Sequence, residues 1–219
     1  MTDARALATS ERKAPRGRID KRRAILDAAF TVFSRQGYAQ ACVNEIANEA
    51  GVAKPTVYNH LTDKANLFRH AIEAAAESLT AENLAAVERL AERHEDLRTT
   101  LEDVAHELLR VYCDERSWSL RRLLYAEIAR FPDLVDLEPV DGSATVARAL
   151  ADRFARLSLA GRLRLTDPDQ AARQFFGLLT GPVEIRARFG TRPVPDSESR
   201  EIVVAAVDTF LRAFAAPTA

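Results

Sequence analysis

The sequence predicts an all-α protein, and three observations support this fold class. Ala, Leu, Glu and Arg dominate the 219 residues, whereas there are only 8 Gly and 9 Pro, and this composition favours helix. Apolar residues recur at spacings of three and four, as they do along one face of a helix. Alternating segments rich in Val and Ile are absent, so no strand is predicted, and no internal repeat suggests a solenoid.

The first half of the chain is predicted to contain three helices before a long fourth one. The first begins near Ile19 and is expected to end at Gly37, since glycine accepts the left-handed backbone at a helix terminus. A short helix follows over 43–50, and Gly51 separates it from a third helix over 54–60, where Pro55 fits the first turn.

Further helices are delimited by capping residues and prolines. Asp63 is expected to cap the long fourth helix, which extends to about Leu90. Pro132 stops a later helix because the residue before proline avoids helical backbone, and Asp167-Pro168 begins another. The predicted ranges beyond the fourth helix are 97–113, 118–131, 142–160, 168–189 and 197–214.

The charge of the chain is unevenly distributed. Residues 1–70 carry 12 Lys and Arg against 7 Asp and Glu, a net charge of +5, whereas residues 71–219 carry 19 against 25, a net charge of −6. This asymmetry indicates a polyanionic partner for the first part of the chain. A solvated basic segment without a partner is the alternative.

Several classes of protein are disfavoured. No apolar run could span a bilayer and the N-terminus lacks a signal-peptide core, so a cytoplasmic protein without a membrane partner is expected. Cys42 and Cys113 cannot form a disulfide framework and are expected to be small buried or half-buried hydrophobic residues. Neither a metal-ligand pattern, a cofactor motif nor a defensible catalytic constellation is present, so no enzyme, metal or cofactor is predicted.

Residues 43–61 have the pattern of a helix-turn-helix. Ile46 is expected to face inward from the first short helix, and Gly51 to adopt the left-handed conformation of the tight turn. Val57 and Leu61, four residues apart, form the inner face of the next helix.

The opposite side of that helix is polar. Its ammonium, hydroxyl, phenol, amide and imidazole groups pack poorly but suit base edges and phosphates in a major groove. Pro55 adds an apolar surface that can contact a thymine methyl group. The polar residues expected to point outward are Lys54, Thr56, Tyr58, Asn59 and His60.

The segment from Ile25 to Phe68 resembles the DNA-binding domain of TetR-family regulators. Its motifs recur in the family order and spacing, which is more specific than a lone helix-turn-helix. They are Gly37-Tyr38, Ile46-Ala47-Asn48-Glu49-Ala50-Gly51-Val52, Thr56-Val57-Tyr58-Asn59-His60-Leu61, and Asp63-Lys64 followed by Leu67-Phe68.

The resemblance implies roles for individual residues. Asn44 matches a position that often contacts a base, and Lys64 matches a phosphate contact at the start of a helix, where backbone N–H groups also favour an anion. The implied base-reading residues are Lys54, Pro55, Thr56 and Asn59, and the further phosphate contacts are Tyr58 and His60. For Tyr58, His60 and Lys64 the alternative is an ordinary structural or surface role.

Two positions depart from the family pattern. Leu61 replaces the usual aromatic residue, and Cys42 stands where Ser or Thr normally caps the second helix, at a cost of about 0.5–1 kcal/mol. A redox role of Cys42 beside DNA is left open. Residues 1–18 are expected to be a disordered basic arm, either inert or reaching an adjacent minor groove through Arg16 and Arg18.

The resemblance implies a helix-turn-helix domain over 19–66, joined by a long helix to a helical ligand-binding and dimerisation domain over 67–219. Residues 126–134 also resemble an AefR-like branch of the family, which is often linked to efflux or lipophilic compounds. Homodimerisation is implied through the helices at 168–189 and 197–214. Their predicted dimer face comprises Phe175, Phe176, Leu178, Leu179, Val183, Ile202, Val203, Ala206, Val207 and Phe210.

A small-molecule inducer is expected among the helices that follow the fourth. The residues predicted to bind it are His106, Arg110, Tyr112, Trp118, Tyr125, Glu127, Phe154 and Phe175, in an apolar pocket with a few polar groups. The alternative for the aromatic residues is plain core. Glu127 has the alternative of pairing with Arg122 or Arg130 on its own helix.

The function expected from these features is a dimeric repressor that binds a palindromic DNA operator and is released by a lipophilic inducer. Two rival functions stay open. An activator would share every feature described above. A helical protein that binds RNA or another protein through the basic segment is the other rival, although no exposed aromatic platform for RNA is apparent.

Overall fold

The computed structural model describes residues 16–91, 96–136 and 142–217, which form nine α-helices. In chain order they are α1 (Arg16–Gln40), α2 (Val43–Glu49), α3 (Lys54–His60), α4 (Lys64–Glu88), α5 (Leu97–Cys113), α6 (Glu115–Glu127), α7 (Gly142–Leu159), α8 (Pro168–Arg186) and α9 (Asp196–Phe214). These ranges contain one isolated β-bridge, between Leu163 and Ala215, and no strand. The predicted all-α fold class is confirmed.

Helix α1 differs from the prediction at both ends. It begins at Arg16, so residues 16–18 of the predicted arm are helical, while residues 1–15 lie outside the described residues. Helical backbone is interrupted at Gly37, with φ of 74° and ψ of 167°, as predicted, but one more turn continues to Gln40. A positive φ is a conformation that glycine tolerates.

The first hydrophobic core joins α1–α3 and the first half of α4 to the segment after α6. Its centre is aromatic: the Phe33 and Phe68 rings lie 5.0 Å apart, Tyr38 and Phe131 lie 4.8 Å apart, and Phe68 and Phe131 lie 4.9 Å apart. Each fully buried side chain of this kind stabilises the fold by about 1.5–3 kcal/mol. Because Phe131 belongs to this core, the N-terminal helices are packed against the rest of the chain.

Helix α6 was predicted over 118–131 but spans Glu115–Glu127. It begins earlier because the Asp114 side chain accepts a hydrogen bond of 2.8 Å from the Arg116 amide and caps it. It ends earlier because Phe131 turns into the first core, and a 3₁₀ turn over Pro132–Asp136 follows.

Helix α4 connects the two hydrophobic cores of the molecule. Asp63 caps it, as predicted, by accepting a hydrogen bond of 2.8 Å from the Asn66 amide. At 1.5 Å per residue its 25 residues extend about 37 Å. Phe68 near its start is buried in the first core, and Val87 near its end is buried in the second.

The second core lies among α5, α7, α8 and α9. Phe154, Phe175 and Phe210 form an aromatic cluster with ring centroids 4.9–5.6 Å apart. Asp167 caps α8, as predicted, through a hydrogen bond of 2.9 Å from the Gln170 amide. None of the described helices has both the length and the apolar character that a bilayer crossing requires.

The predicted dimer face on α8 and α9 is mostly core, although Leu178 and Phe210 also line an outer groove between these helices. Eight of its ten residues are buried in the core of the same chain, and the other two are half-buried. Both helices are apolar on more than one side, and the side with the larger side chains packs inward. The outward side is built from small or exposed residues, including Gly177, Gly181 and the largely exposed Ile185.

Candidate nucleic-acid interface

Helix α3 has a buried apolar face and an exposed polar face. Val57 is 1% exposed and Leu61 is 4% exposed, so both anchor the helix on the first core. The predicted interface residues on the other side are accessible: Lys54, Pro55, Tyr58 and Asn59 are exposed and Thr56 is half-buried. The side chain of His60 lies outside the described residues. This arrangement leaves donors and acceptors free for an external partner.

The turn between α2 and α3 fixes the direction of this helix. Gly51 has a φ of 64°, the left-handed conformation predicted for it. The Val52 amide donates a hydrogen bond of 2.9 Å to the Ala47 carbonyl. Val52 itself is half-buried against the first core. The orientation of α3 relative to α2 is therefore set by local backbone geometry.

Helix α2 is held on α1 by one carboxylate. Glu45 accepts hydrogen bonds from Gln36 at 2.7 Å and from Arg35 at 3.2 Å. Asn44, beside it in the first turn of α2, is exposed. Asn44 therefore presents its amide on a helix that cannot easily rotate.

Lys64 links the start of α4 to the end of α1. Its Nζ donates a hydrogen bond of 3.1 Å to the Ala39 carbonyl and lies 4.7 Å from the centroid of the Tyr38 ring. The ammonium group also lies at a helix N-terminus, where unpaired N–H groups attract an anion. Its predicted phosphate contact is compatible with this position.

Cys42 was expected to be a buried or half-buried hydrophobic residue, and for Cys42 this expectation is wrong because its side chain is exposed. It occupies the N-cap of α2 with extended backbone (φ −111°, ψ 134°) and makes no side-chain capping hydrogen bond. The weak cap predicted at this position is confirmed. Cys113 is half-buried, as expected.

We expect Cys42→Ser to stabilise the protein by about 0.5–1 kcal/mol, because a hydroxyl in the same extended conformation accepts a hydrogen bond from the first turn of α2. Chemical denaturation of both proteins at equal concentration measures the difference. Cys113→Ser is the matched control, since it makes the same chemical change at the last residue of α5, where Asp114 already caps the next helix, and it should not stabilise. Equal stability of the Cys42→Ser and parent proteins would contradict the prediction.

The structure does not bring the predicted ligand residues into one site. Tyr112 and Trp118 contact one another, with ring centroids 5.8 Å apart. Phe154 and Phe175 also contact one another, but both are fully buried and form part of the second core. These two phenylalanines are therefore core residues, which was the alternative to lining a ligand pocket.

The other predicted ligand residues lie at separate places. Tyr125 is 70% exposed. Arg110 pairs with Glu107 on its own helix at 3.0 Å. His106 pairs with Asp196 at 3.0 Å and lines a polar surface pocket of about 560 Å³.

Glu127 lies at the junction of the two halves of the molecule. Its Oε1 accepts a hydrogen bond of 3.1 Å from the Tyr38 amide, which is neither the pocket role nor the pairing on its own helix considered for it. Arg130 instead places its guanidinium 4.4 Å from the Tyr38 ring. The end of α6 and the turn after it therefore bind the end of α1 through one hydrogen bond and one cation–ring contact.

Two ion pairs that the sequence analysis missed extend this junction. Arg116 of α6 pairs with Asp27 of α1 at 2.8 Å, and Arg69 of α4 pairs with Asp133 at 2.7 Å. The hydrogen bond with Arg69 lowers the pKa of Asp133, and the same bond raises the pKa of Arg69. Each pair joins residues more than sixty positions apart, so no local pattern could have revealed it.

Arg121 is a further residue that sequence reasoning missed. Its Cζ lies 3.9 Å from the ring centroids of both Tyr112 and Trp118. The available signal was its position three residues after Trp118, on the same side of α6. Across the described ranges no group of three His, Cys, Asp or Glu side chains is arranged to hold a metal ion.

Comparison with protein families accounts for both halves of the chain. The family model described as bacterial regulatory proteins, tetR family, matches residues 25–71. The model described as AefR-like transcriptional repressor, C-terminal domain, matches residues 99–216. The second match alone covers more than half of the 219 residues.

Comparison with individual proteins agrees. A crystal structure of a protein described as a TetR-family regulator from Mesorhizobium loti has a TM-score of 0.83, 29% identity, and covers 90% of this chain and 98% of its own. The flavonoid-responsive regulator FrrA has a TM-score of 0.69 and 28% identity, covering 91% and 99%. The transcriptional activator FasR of Mycolicibacterium smegmatis is 32% identical over 85 residues, and this alignment covers 39% of each chain.

Proposed function

Because this chain belongs to the TetR family of bacterial transcriptional regulators, with an AefR-like C-terminal domain, we propose that it binds an operator in duplex DNA as a homodimer and represses transcription until a small molecule releases it. Its relatives are DNA-binding regulators and not enzymes. The proposed domains are those expected from the sequence, 19–66 for DNA binding and 67–219 for ligand binding and dimerisation, in a cytoplasmic protein.

One observation carries the proposal: α3 is anchored by Val57 and Leu61 while its polar side remains uncovered. Lys54, Asn59 and their neighbours can then reach base edges, as the recognition helix of a helix-turn-helix does. Tyr58 and Lys64 flank this side and are proposed to contact phosphates, which position the protein without reading sequence. Asn44, Pro55, Thr56 and His60 complete the proposed interface.

We expect Lys54→Ala and Asn59→Ala to change which operator bases matter, at a cost of about 1–3 kcal/mol for a bidentate contact. Operators are first selected from randomised duplexes, and each variant is then titrated with single-base substitutions at fixed salt and in excess competitor DNA. Tyr58→Phe is the matched control on the same helix, because loss of a phosphate contact weakens all sequences alike. Unchanged base preference in both alanine variants would refute the assignment of the reading face.

A second copy of this chain is proposed to dock on α8 and α9. A groove of about 480 Å³ runs between these helices, lined by Gly177, Leu178, Pro182, Phe210, Phe214 and their neighbours. A Cβ atom added to Gly177 or Gly181 would meet nothing within 4 Å, so another helix can approach the backbone closely. Two such pairs of helices form a four-helix bundle, and the dimer presents two α3 helices to successive major grooves about 34–36 Å apart.

The contacts between α6 and α1 are proposed to couple ligand binding to DNA binding. Helix α6 contacts α1 through Arg116 and through Glu127, and the segment after it packs Phe131 on Tyr38. A ligand that shifts α6 or α4 must move these contacts and, with them, the angle at which α3 is presented. Coupling of this kind typically changes affinity by about 1–3 kcal/mol.

We expect Glu127→Ala to speed hydrogen exchange of the Tyr38 amide by about tenfold, since an unpaired amide loses roughly 1 kcal/mol or more of protection. Nuclear magnetic resonance of the labelled protein measures this rate directly. Glu127→Gln retains an acceptor oxygen in the same place and should keep most of the protection. Equal exchange in the alanine variant and the parent would show that the contact does not hold the junction closed.

The ligand is proposed to be a small aromatic or lipophilic molecule. FrrA, a structural relative, is described as flavonoid-responsive, and among the predicted ligand residues the half-buried Tyr112 of α5 contacts the buried Trp118 of α6. Activation is the second candidate function, because the relative FasR is described as an activator. Transcription from the operator with and without the protein distinguishes the two.

A further inference from the structure

Arg121 is a half-buried cation on α6. Its Nη2 donates a hydrogen bond of 2.7 Å to the Tyr112 carbonyl. Its Nε is buried and has no hydrogen-bond partner. Among the described residues no carboxylate forms an ion pair with it, although fourteen other Arg or His pairs of that kind are observed there.

Aromatic side chains from two helices contact this cation. The guanidinium lies 3.9 Å from the ring centroids of Tyr112 on α5 and Trp118 on α6. Phe176 of α8 adds a third ring, 6.2 Å from that of Tyr112. The cluster therefore offers flat apolar faces beside hydrogen-bond donors.

The nearby acidic group is already engaged. Glu184 accepts a hydrogen bond of 2.8 Å from the Tyr112 hydroxyl. Burial raises the pKa of Tyr112, so its hydroxyl stays neutral and supplies no countercharge. Burial also lowers the pKa of Arg121 although the charge of Glu184 acts to raise it, so loss of solvent outweighs the attraction that the surroundings supply.

We infer that Arg121, Tyr112 and Trp118 form a binding site for a planar aromatic ligand that carries an anionic oxygen, a carboxylate or a phenolate. The anion pairs with the guanidinium through charge-assisted hydrogen bonds, and the flat frame packs on the rings. Tyr112, Arg121 and Glu184 are each half-buried, so the ligand reaches the guanidinium from solvent, and the buried Trp118 of the second core forms the inner wall of the site. The inference rests on the proposed function of ligand-responsive regulation and assigns the chemistry of the ligand.

The test compares two probes of the same shape, trans-cinnamate and its neutral counterpart cinnamyl alcohol. Trp118 is the only tryptophan of the chain, so quenching of its fluorescence reports binding at this place, and calorimetry gives an independent affinity. We expect cinnamate to bind the full-length protein at least about tenfold more tightly than the alcohol, because a hydrogen bond to a charged group is worth more than one to a neutral group.

Three variants test whether Arg121 causes the preference for cinnamate over cinnamyl alcohol. Arg121→Gln should bring the affinity ratio of the two probes close to one, and Arg121→Lys should retain part of it, since the charge remains but the planar fork is lost. Arg156→Gln removes an exposed arginine in the last turn of α7 and should leave the ratio unchanged. Circular dichroism and operator affinity without probe establish that each variant is folded.

Equal affinity of the two probes for the parent protein overturns the inference, as does failure of both to bind at millimolar concentration. A ratio that survives in Arg121→Gln overturns it too, because another cation is then responsible. None of these results affects operator binding by the ligand-free protein. Failure of the proposed function itself is seen separately, as absence of sequence-specific DNA binding without any probe.

Discussion

Replacing Gly181 with arginine is expected to leave the protein monomeric and to lower its affinity for a two-site operator by at least about 100-fold. The outer side of α8 has open space at Gly181 and at Gly177, one turn earlier. A long charged side chain there prevents close approach of a second α8, and burying its unpaired charge is costly. The monomer then holds the operator by one half-site and loses the advantage of two linked contacts.

Analytical ultracentrifugation measures the oligomeric state, and titration of an operator with one or two half-sites measures the effect on binding. Leu159→Arg is the matched control: Leu159 is an apolar residue, 90% exposed, at the end of α7 and outside the groove. The Leu159→Arg protein should stay dimeric. A Gly181→Arg protein that remains dimeric at micromolar concentration would show that the groove between α8 and α9 is not the interface.

Gly190→Ala is expected to destabilise the protein by about 2–4 kcal/mol, which lowers the melting temperature by roughly 4–16 °C in a chain of this size. Gly190 has a φ of 80° and ends a run of three left-handed residues after α8, preceded by Arg188 and Phe189. A Cβ atom added at Gly190 would lie 2.5 Å from Trp118, against the rigid base of the indole ring. The variant therefore incurs both backbone strain and overpacking.

Gly161→Ala separates these two causes. Gly161 also has a positive φ, 71°, but a Cβ atom there would meet nothing within 4 Å. The Gly161→Ala variant should lose only the stability that backbone strain costs, about 1–2 kcal/mol. Both variants must be melted at the same protein concentration, because the stability of a dimer depends on it. Equal losses in the two variants would mean that the close contact with Trp118 contributes nothing.

The Gly190 contact also bears on how the two ends of the molecule communicate. Arg122 of α6 donates a hydrogen bond of 3.2 Å to the Gly190 carbonyl, while Glu127 at the end of the same helix accepts from Tyr38. Helix α6 thus contacts the connection between α8 and α9 on one side and the N-terminal helices on the other. Ligand binding at Arg121, directly beside the first of these contacts, would act on a helix that both contacts hold in place.

Features that depend on neighbouring residues could be read from the sequence. Apolar periodicity located the helices, Gly51 located the turn, and Asp63 and Asp167 located two helix starts, because a cap or a turn is made within three or four residues. The inward position of Val57 and the outward position of Asn59 followed for the same reason. The weak cap at Cys42 was also readable, although its exposure was not.

Contacts between distant segments were decided by the tertiary structure alone. Periodicity shows that a helix has an apolar side but not which element covers it, so the sequence assigned the inner side of α8 and α9 to the dimer. The burial of Phe131 beside Tyr38, the bond from Glu127 to an amide 89 residues away, and the lack of an ion pair to Arg121 within the described ranges have the same origin. Each depends on how separate helices pack, and packing is a property of the whole folded chain.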